Sequence, residues 1–254
     1  MTIAITREVS SRFAECEITH IERVPIDVEI VRVQHHNYVR ALASLGCQII
    51  ELPEERDLPD SVFVEDTAIV LPEVSVITRP GADSRRPETE SITRALSPYR
   101  ALIHITEPGT LDGGDVLVLG KRIYVGLSTR SNIEAIKQIQ EILDNYGYMV
   151  SSVELHGCLH LKSAVTRAGD ITLLINKNWV DTSYFQDLDL IEVDPSEPYA
   201  ANCLPIGDSI IFPTAFPKTC KRLEDKGFKL VTVDVSELAK AEGAVTCCSL
   251  IISD

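Results

Sequence analysis

The sequence has no apolar run long enough to cross a bilayer. Its opening stretch, MTIAITR, has no basic segment leading into an apolar one, so no secretory leader is expected. A clustered basic face is also missing, and the formal net charge is −14, which speaks against a nucleic-acid partner. No C-x-x-C or H-E-x-x-H spacing occurs, so a dedicated zinc site has no support. No Gly/Ser linker, charge block or low-complexity tract divides the chain. There are seven cysteines, at Cys16, Cys47, Cys158, Cys203, Cys220, Cys247 and Cys248. Their odd number and scattered spacing fit a reducing, cytoplasmic setting better than a disulfide framework.

What is present is the composition of an ordinary globular protein. A chain of 254 residues that is 44% hydrophobic can build a sizeable core, in one large domain or two small ones. An acidic balance suits cationic small ligands, although it also simply keeps proteins soluble.

The order of elements is more informative. Strand-like runs begin near Asp66 (DTAIVL), Gly114 (GDVLVLG), Leu161 (LKSAVTR), Asp208 (DSIIFP) and Ser249 (SLII). Their spacing of roughly 40 to 50 residues lies in the range of propellers and arrays. A second strand follows the first three: VSVITR, RIYVGL and ITLLIN. Helices are expected at about 34–45, 87–98, 132–146, 215–226 and 236–242. The third is the clearest. Ser131 and Glu134 have capping-box spacing, Gly147 is placed to end it, and Ile133, Ile136, Ile139 and Leu143 share a face. Further strands are expected near Cys47, Ala101, Met149, Leu190 and Lys229. The unit reads strand–strand–helix–strand about five times. The last copy is too short, and TIAITR could complete it by closing a ring. A mixed α/β sandwich with coincidental spacing would leave the same pattern.

Several residues could carry chemistry, and each also has a plain reading. Cys247 and Cys248 precede an apolar C-terminal strand, where small core residues are common. A strand start is also a rim position, where function gathers. His160 follows a glycine-containing turn; it suits a structural role or pairing with a distant thiol. Asp112 and Asp115 flank a double glycine that suits a turn. PDSVFVED sets Asp60, Glu65 and Asp66 around Phe63. Asp66 and Asp112 fall at equivalent places in consecutive repeats, and carboxylates gathered at one ring end would suit a guanidinium. Arg85 lies in a loop, and Arg130 sits beside a helix start, a favourable place for a carboxylate.

These motifs occur in a familiar order. PDSVFVED, ITRPGADSRR, TLDGGDVL, VGLSTRSN, LHLKS, YAANC and VTCCSLI resemble the dimethylarginine dimethylaminohydrolases, from about residue 59 to the C-terminus, with a weaker match before it. The resemblance implies a single catalytic domain over residues 1–254 with the five-bladed pseudosymmetric α/β-propeller (pentein) fold of guanidine-modifying enzymes. It makes Cys247 the nucleophile, His160 the general acid/base, and Asp112 the carboxylate that supports both catalysis and the guanidinium. Asp66 becomes the second guanidinium-binding acid, and Asp60 the ligand of the substrate α-ammonium. Arg85 and Arg130 become the pair that holds the α-carboxylate, and Phe63 an apolar wall. Ile18 falls in an N-terminal closing loop and Ala241 at a second backbone carbonyl for the ammonium. Glu65 matches a structural acid, while Cys203 and Cys248 match positions with no assigned step.

The implied reaction is hydrolysis of a free N-omega-methylated arginine to citrulline and methylamine or dimethylamine, through a covalent S-alkylthiouronium on Cys247. It needs no metal and no organic cofactor. The implied partner is a small guanidino amino acid, with no nucleic acid and no membrane; a homodimer stays open. Arginine deiminases share this chemistry but are longer, with a helical insertion this chain has no segment to supply. Agmatine lacks the carboxylate that Arg85 and Arg130 would hold. Amidinotransferases differ in a pocket property that the sequence does not display. A non-catalytic propeller that binds macromolecules would have no reason to keep a cysteine, a histidine and paired acids together.

Overall fold

The computed structural model describes residues 1–253. The chain begins with β1 (Ile3–Arg7), α1 (Val28–Ser44) and β2 (Gln48–Leu52). Next come β3 (Ala68–Val70), β4 (Val74–Ile77), α2 (Glu88–Leu96) and β5 (Ala101–His104). The same order recurs in β6 (Val116–Leu119), β7 (Arg122–Leu127), α3 (Ile133–Asp144) and β8 (Met149–Glu154). A short α4 (Leu161–Ala164) leads into β9 (Val165–Arg167), β10 (Thr172–Ile175) and β11 (Asp189–Glu192). The last full copy is β12 (Leu204–Ile206), β13 (Ser209–Pro213), α5 (Pro217–Asp225) and β14 (Lys229–Val233). Then follow α6 (Ser236–Ala239) and β15 (Leu250–Ile252).

The described residues form five three-stranded sheets. In each, the middle strand runs antiparallel to one neighbour and parallel to the other. The antiparallel partner is reached by a tight turn; the parallel one needs a crossover, which the helix supplies. The fifth sheet joins the two ends of the chain, in the order β15-β1-β2. Residues of β3, β6, β9, β12 and β15 all line one central cavity of about 220 Å³, so the sheets stand around an axis as blades. The five-bladed α/β propeller implied by the resemblance, one of the two arrangements that the spacing left open, is the fold observed.

Local physics explains the departures. Helix α1 starts at Val28, earlier than periodicity suggested, because Asp27 accepts the N–H groups of Glu29 and Ile30 at 3.0 and 3.2 Å. The alternating apolar residues of VEIVRV hide that start. In α3 the cap is Asn132, whose side chain takes the Ala135 N–H, and Ser131 turns inward to Asp115. Ile136, Ile139 and Leu143 are buried, whereas Ile133 is exposed. Gly147 ends the helix in the left-handed region, at φ 73°. LKSA is a helical turn, so the third run begins as a strand only at Val165. DSIIFP is the second strand of its blade, not the first; the proline-containing β12 precedes it. The crossover from β10 to β11 holds only a 3-10 turn at Thr182–Phe185. No helix among the described residues is long and apolar enough to cross a membrane.

Candidate active site

The first strand of each blade is preceded by a tight segment at the same end of the ring. A 3-10 turn at Val64–Thr67 carries Asp66, one at Gly113–Asp115 follows Asp112, and His160 caps α4. The equivalence expected for Asp66 and Asp112 is inexact: Asp66 lies two residues before β3, Asp112 four before β6. Space is nonetheless shared across blades. A side chain on Gly114 would meet His160 Nδ1 at 2.6 Å and the Asp66 carboxylate at 2.8 Å, so glycine is required for those two to approach.

His160 is the hub. Its Nε2 lies 3.1 Å from Asp112 Oδ2, and its Nδ1 3.9 Å from Asp66 Oδ1. Asp112, fully buried, accepts the Gly81 N–H at 2.9 Å, and its Oδ2 lies 3.7 Å from Arg130. Asp115 takes the Leu161 N–H and the Ser128 and Ser131 hydroxyls at 2.9, 2.6 and 2.6 Å, which anchors the backbone next to His160. Burial disfavours the charged imidazole, but Asp66, Asp115 and Asp112 outweigh it and push His160 up to about 9. Burial likewise pushes the Asp115 carboxyl up to about 6 despite its three donors. Asp66 meets the same burial penalty, but the charges of His160 and Arg85 and the Gly114 N–H hold it below the usual carboxylate range. One atom each of Asp66, Asp112 and His160 lies close enough to share a cation, yet these groups are spent on one another and on the two arginines.

Cys247 is half-buried and Cys248 is buried at 1% exposure, so the two tandem thiols have different access. Among the described residues the Cys247 sulfur takes a hydrogen bond from Ala244 N–H at 3.4 Å and none from His160. Burial raises this thiol, Glu65 and Asp66 raise it further, and Lys162 opposes them. In the free protein Cys247 is therefore a neutral thiol, and Asp66 acts electrostatically both on it and on the charged His160 imidazole.

The remaining expected residues surround this group. Asp60 is buried and accepts the Glu17 N–H through both oxygens, at 3.2 and 3.1 Å. Burial raises its carboxyl against the pull of Arg85. Arg130 reaches from Asp112 to the Thr19 hydroxyl at 3.0 Å. Phe63 is buried edge-on to Phe13, with centroids 5.7 Å apart. Ile18 is half-buried and packs on the same cluster, which includes Ala241. Arg85 is only 4% exposed and is committed inward: it bonds Asp66 at 2.6 Å, Glu88 at 2.8 and 3.1 Å, and the carbonyl of Phe63 at 3.2 Å. A substrate carboxylate on Arg85 would have to displace one of these.

Other residues here were not singled out by the sequence. Glu88 backs Arg85 from the first turn of α2. Glu242, in the left-handed region at φ 59°, accepts the N–H groups of Thr19 and His20 at 2.6 and 2.9 Å. Lys162 and Thr246 both bond Glu65, and Asn202 bonds Thr246. Lys162 and Thr246 stand within two residues of His160 and Cys247, which was the available signal. A cavity of about 300 Å³ lies beside the group, lined among others by His20, Ile21, Leu159, Asn202, Glu242 and Ala244.

Comparison with known proteins is consistent with this arrangement. Residues 19–252 match the family model for eukaryotic N,N dimethylarginine dimethylhydrolase. An N(G),N(G)-dimethylarginine dimethylaminohydrolase of Streptomyces coelicolor is 39% identical, over 97% of this chain and 95% of its own. One of Pseudomonas aeruginosa is 38% identical, over 85% and 86%. A solved structure of a cysteine-to-serine DDAH from Pseudomonas aeruginosa, in complex with citrulline, superposes with a TM-score of 0.94 at 34% identity, over 98% of both chains.

Proposed function

Because this chain belongs to the dimethylarginine dimethylaminohydrolase family, we propose that it hydrolyses free N-omega-methylated arginine to citrulline and methylamine or dimethylamine, on one catalytic domain spanning residues 1–254. The observation that carries the assignment of roles is the His160 hub, a buried imidazole held charged between Asp112 and Asp66, with Asp66 also acting on the half-buried Cys247 thiol.

A guanidinium is resonance-stabilised and a poor electrophile, so it needs a thiolate held in fixed geometry. Cys247 is neutral in the free protein because burial and two carboxylates oppose its ionisation. A cationic substrate seated against Asp66 and Asp112 reverses that balance, and the thiol proton leaves for solvent. The Cys247 sulfur then bonds to the guanidinium carbon. His160, charged at neutral pH, gives its proton to the departing amine as the C–N bond breaks, leaving the thiouronium. Neutral His160 next takes a proton from water as the oxygen attacks. Collapse of that adduct breaks the C–S bond and releases citrulline.

Recognition of the amino-acid end falls to Asp60 and the backbone carbonyls of Ile18 and Ala241 for the ammonium, and to Arg130 with Arg85 for the carboxylate. Phe63 walls the alkyl chain. Asp60 and Arg130 at present bind the loop at Glu17 and Thr19, so substrate and loop compete for, or share, the same charges. All of these residues lie on one chain, so a homodimer is not required for the chemistry. Seven free cysteines support a reducing, cytoplasmic setting.

The test is product identification with asymmetric dimethylarginine, monomethylarginine and arginine. Citrulline with the matching amine is expected from the methylated substrates, and Cys247→Ser should lose turnover while keeping its melting temperature. Substantial activity in that variant, or none in the wild type on any of the three, overturns the assignment.

A further inference from the structure

Beneath the candidate active site a buried polar chain crosses all five blades. Lys162 Nζ donates to Glu65 Oε1 at 2.6 Å and to the Gly113 carbonyl at 3.2 Å. The other oxygen of Glu65 accepts the Thr246 hydroxyl at 2.7 Å. Asn202 closes the chain: its amide nitrogen donates to the Lys162 carbonyl and the Thr246 hydroxyl, and its oxygen accepts the Thr246 N–H. The Glu65 N–H in turn donates to the Cys247 carbonyl at 3.1 Å. Glu65 thus holds two residues that are neighbours in sequence, the Cys247 carbonyl through its own N–H and the Thr246 hydroxyl through its carboxylate. Glu65 is 10% exposed and Lys162 19%, and both line the central cavity. The mechanism above gives neither side chain a step.

We propose that Lys162 is a positioning residue for the nucleophile, acting through Glu65: its ammonium neutralises the carboxylate of the residue whose N–H holds the Cys247 carbonyl and whose other oxygen holds the Thr246 hydroxyl, so that this clamp can sit beside a thiolate. The inference rests on Cys247 being the nucleophile. The charged and titratable groups around that thiol are Glu65, Asp66, Lys162, Cys248 and Tyr38. Two carboxylates oppose the thiolate, and Lys162 is the cation among these groups. A clamp made of Glu65 alone would hold the geometry at the expense of the chemistry; the pair supplies geometry without net charge.

Charge makes the proposal separable from a merely structural bond. Below its midpoint, the alkylation rate of a thiol scales with its thiolate fraction. Cys247 labelling by iodoacetamide would be followed between about pH 7 and 9 by peptide mapping, without substrate. Lys162→Met leaves Glu65 unpaired and should slow labelling about tenfold, while Glu65→Gln leaves Lys162 unpaired and should speed it about tenfold. The double variant should return to within about threefold of wild type, and Lys162→Arg should match it. A purely structural link would move both single variants in the same direction, or neither, and that result overturns the proposal. If Lys162→Met fails to fold, the Glu65→Gln arm decides, since slower labelling there is the opposite of what is expected. The nucleophile itself is judged separately: label on Cys248 in the wild type, or no turnover of methylated arginine, sinks that assignment and not the sign of the rate changes.

Discussion

At the scale of the residue, the site is a set of charges whose partners matter more than their identities. Asp66, Asp112 and Asp115 all reach His160 electrostatically, yet Asp115 is pushed up to about 6 while Asp66 is held low. The difference is Arg85, which bonds Asp66 and not Asp115. Residue types in the sequence announced a cysteine, a histidine and acids; they could not announce which acid each cation would choose. Arg85 shows the limit, because its pairing with Glu88 and Asp66 depends on the packing of α2 against the turn at 64–67. Gly114 shows the opposite case, where one residue type is dictated by two neighbours. Gly114→Ala should push His160 and Asp66 apart, lower kcat/KM at least about a hundredfold and cost roughly 1–3 kcal/mol of stability. Steady-state kinetics and thermal melting check this, and near-normal activity would contradict the crowding.

At the scale of the element, the repeat was legible because the middle strands are buried on both faces and read as short apolar runs, while the helix between strands buries one face and reads with helical spacing. What was not legible came from single capping or turn contacts. Asp27 starts α1 inside a run that looks extended, and the break before β9 rests on a helical turn only four residues long. The loop between Cys16 and Asp27 is held from outside itself: by Asp60 at Glu17, Ser84 at the Glu17 side chain, Arg130 at Thr19, and Glu242 at Thr19 and His20. Glu242 is not one of the proposed substrate ligands. Its replacement by alanine removes a carboxylate that accepts two N–H groups, an effect of about 1–2 kcal/mol. Hydrogen exchange of the Thr19 and His20 amides should quicken, and KM should rise about five- to tenfold with kcat nearly unchanged. Exchange as slow as in the wild type would show that the remaining contacts suffice.

At the scale of the molecule, the propeller gathers ionisable groups at one end of its axis, and folding is therefore linked to pH. His160 has a folded-state value of about 9 against an ordinary 6.5, so the folded state holds a proton that the unfolded state gives up earlier. Its contribution is complete below about pH 6.5 and disappears as pH rises through about 9, on the order of 3 kcal/mol in all. Glu88 and Asp115, raised to about 7 and about 6, act in the same direction at lower pH. The melting temperature should therefore fall from about pH 7 to 9, and His160→Gln should flatten that slope. An unchanged slope in the variant would assign the effect to other groups.

The closing blade has a further consequence. In four sheets the first two strands form a hairpin, whereas in the fifth the same antiparallel pair is β15 and β1, with Ile252 opposite Ile3. Strands β15 and β1 thus meet where the other four blades have a hairpin. Seen this way the order of strands is circular, opened at one of five similar points. A short turn could join Ile252 to Ile3, and the cut could be moved to the exposed turn at Gly207 and Asp208 with every strand pairing kept. Cys247 would then sit in the middle of its chain, with the same neighbours in space.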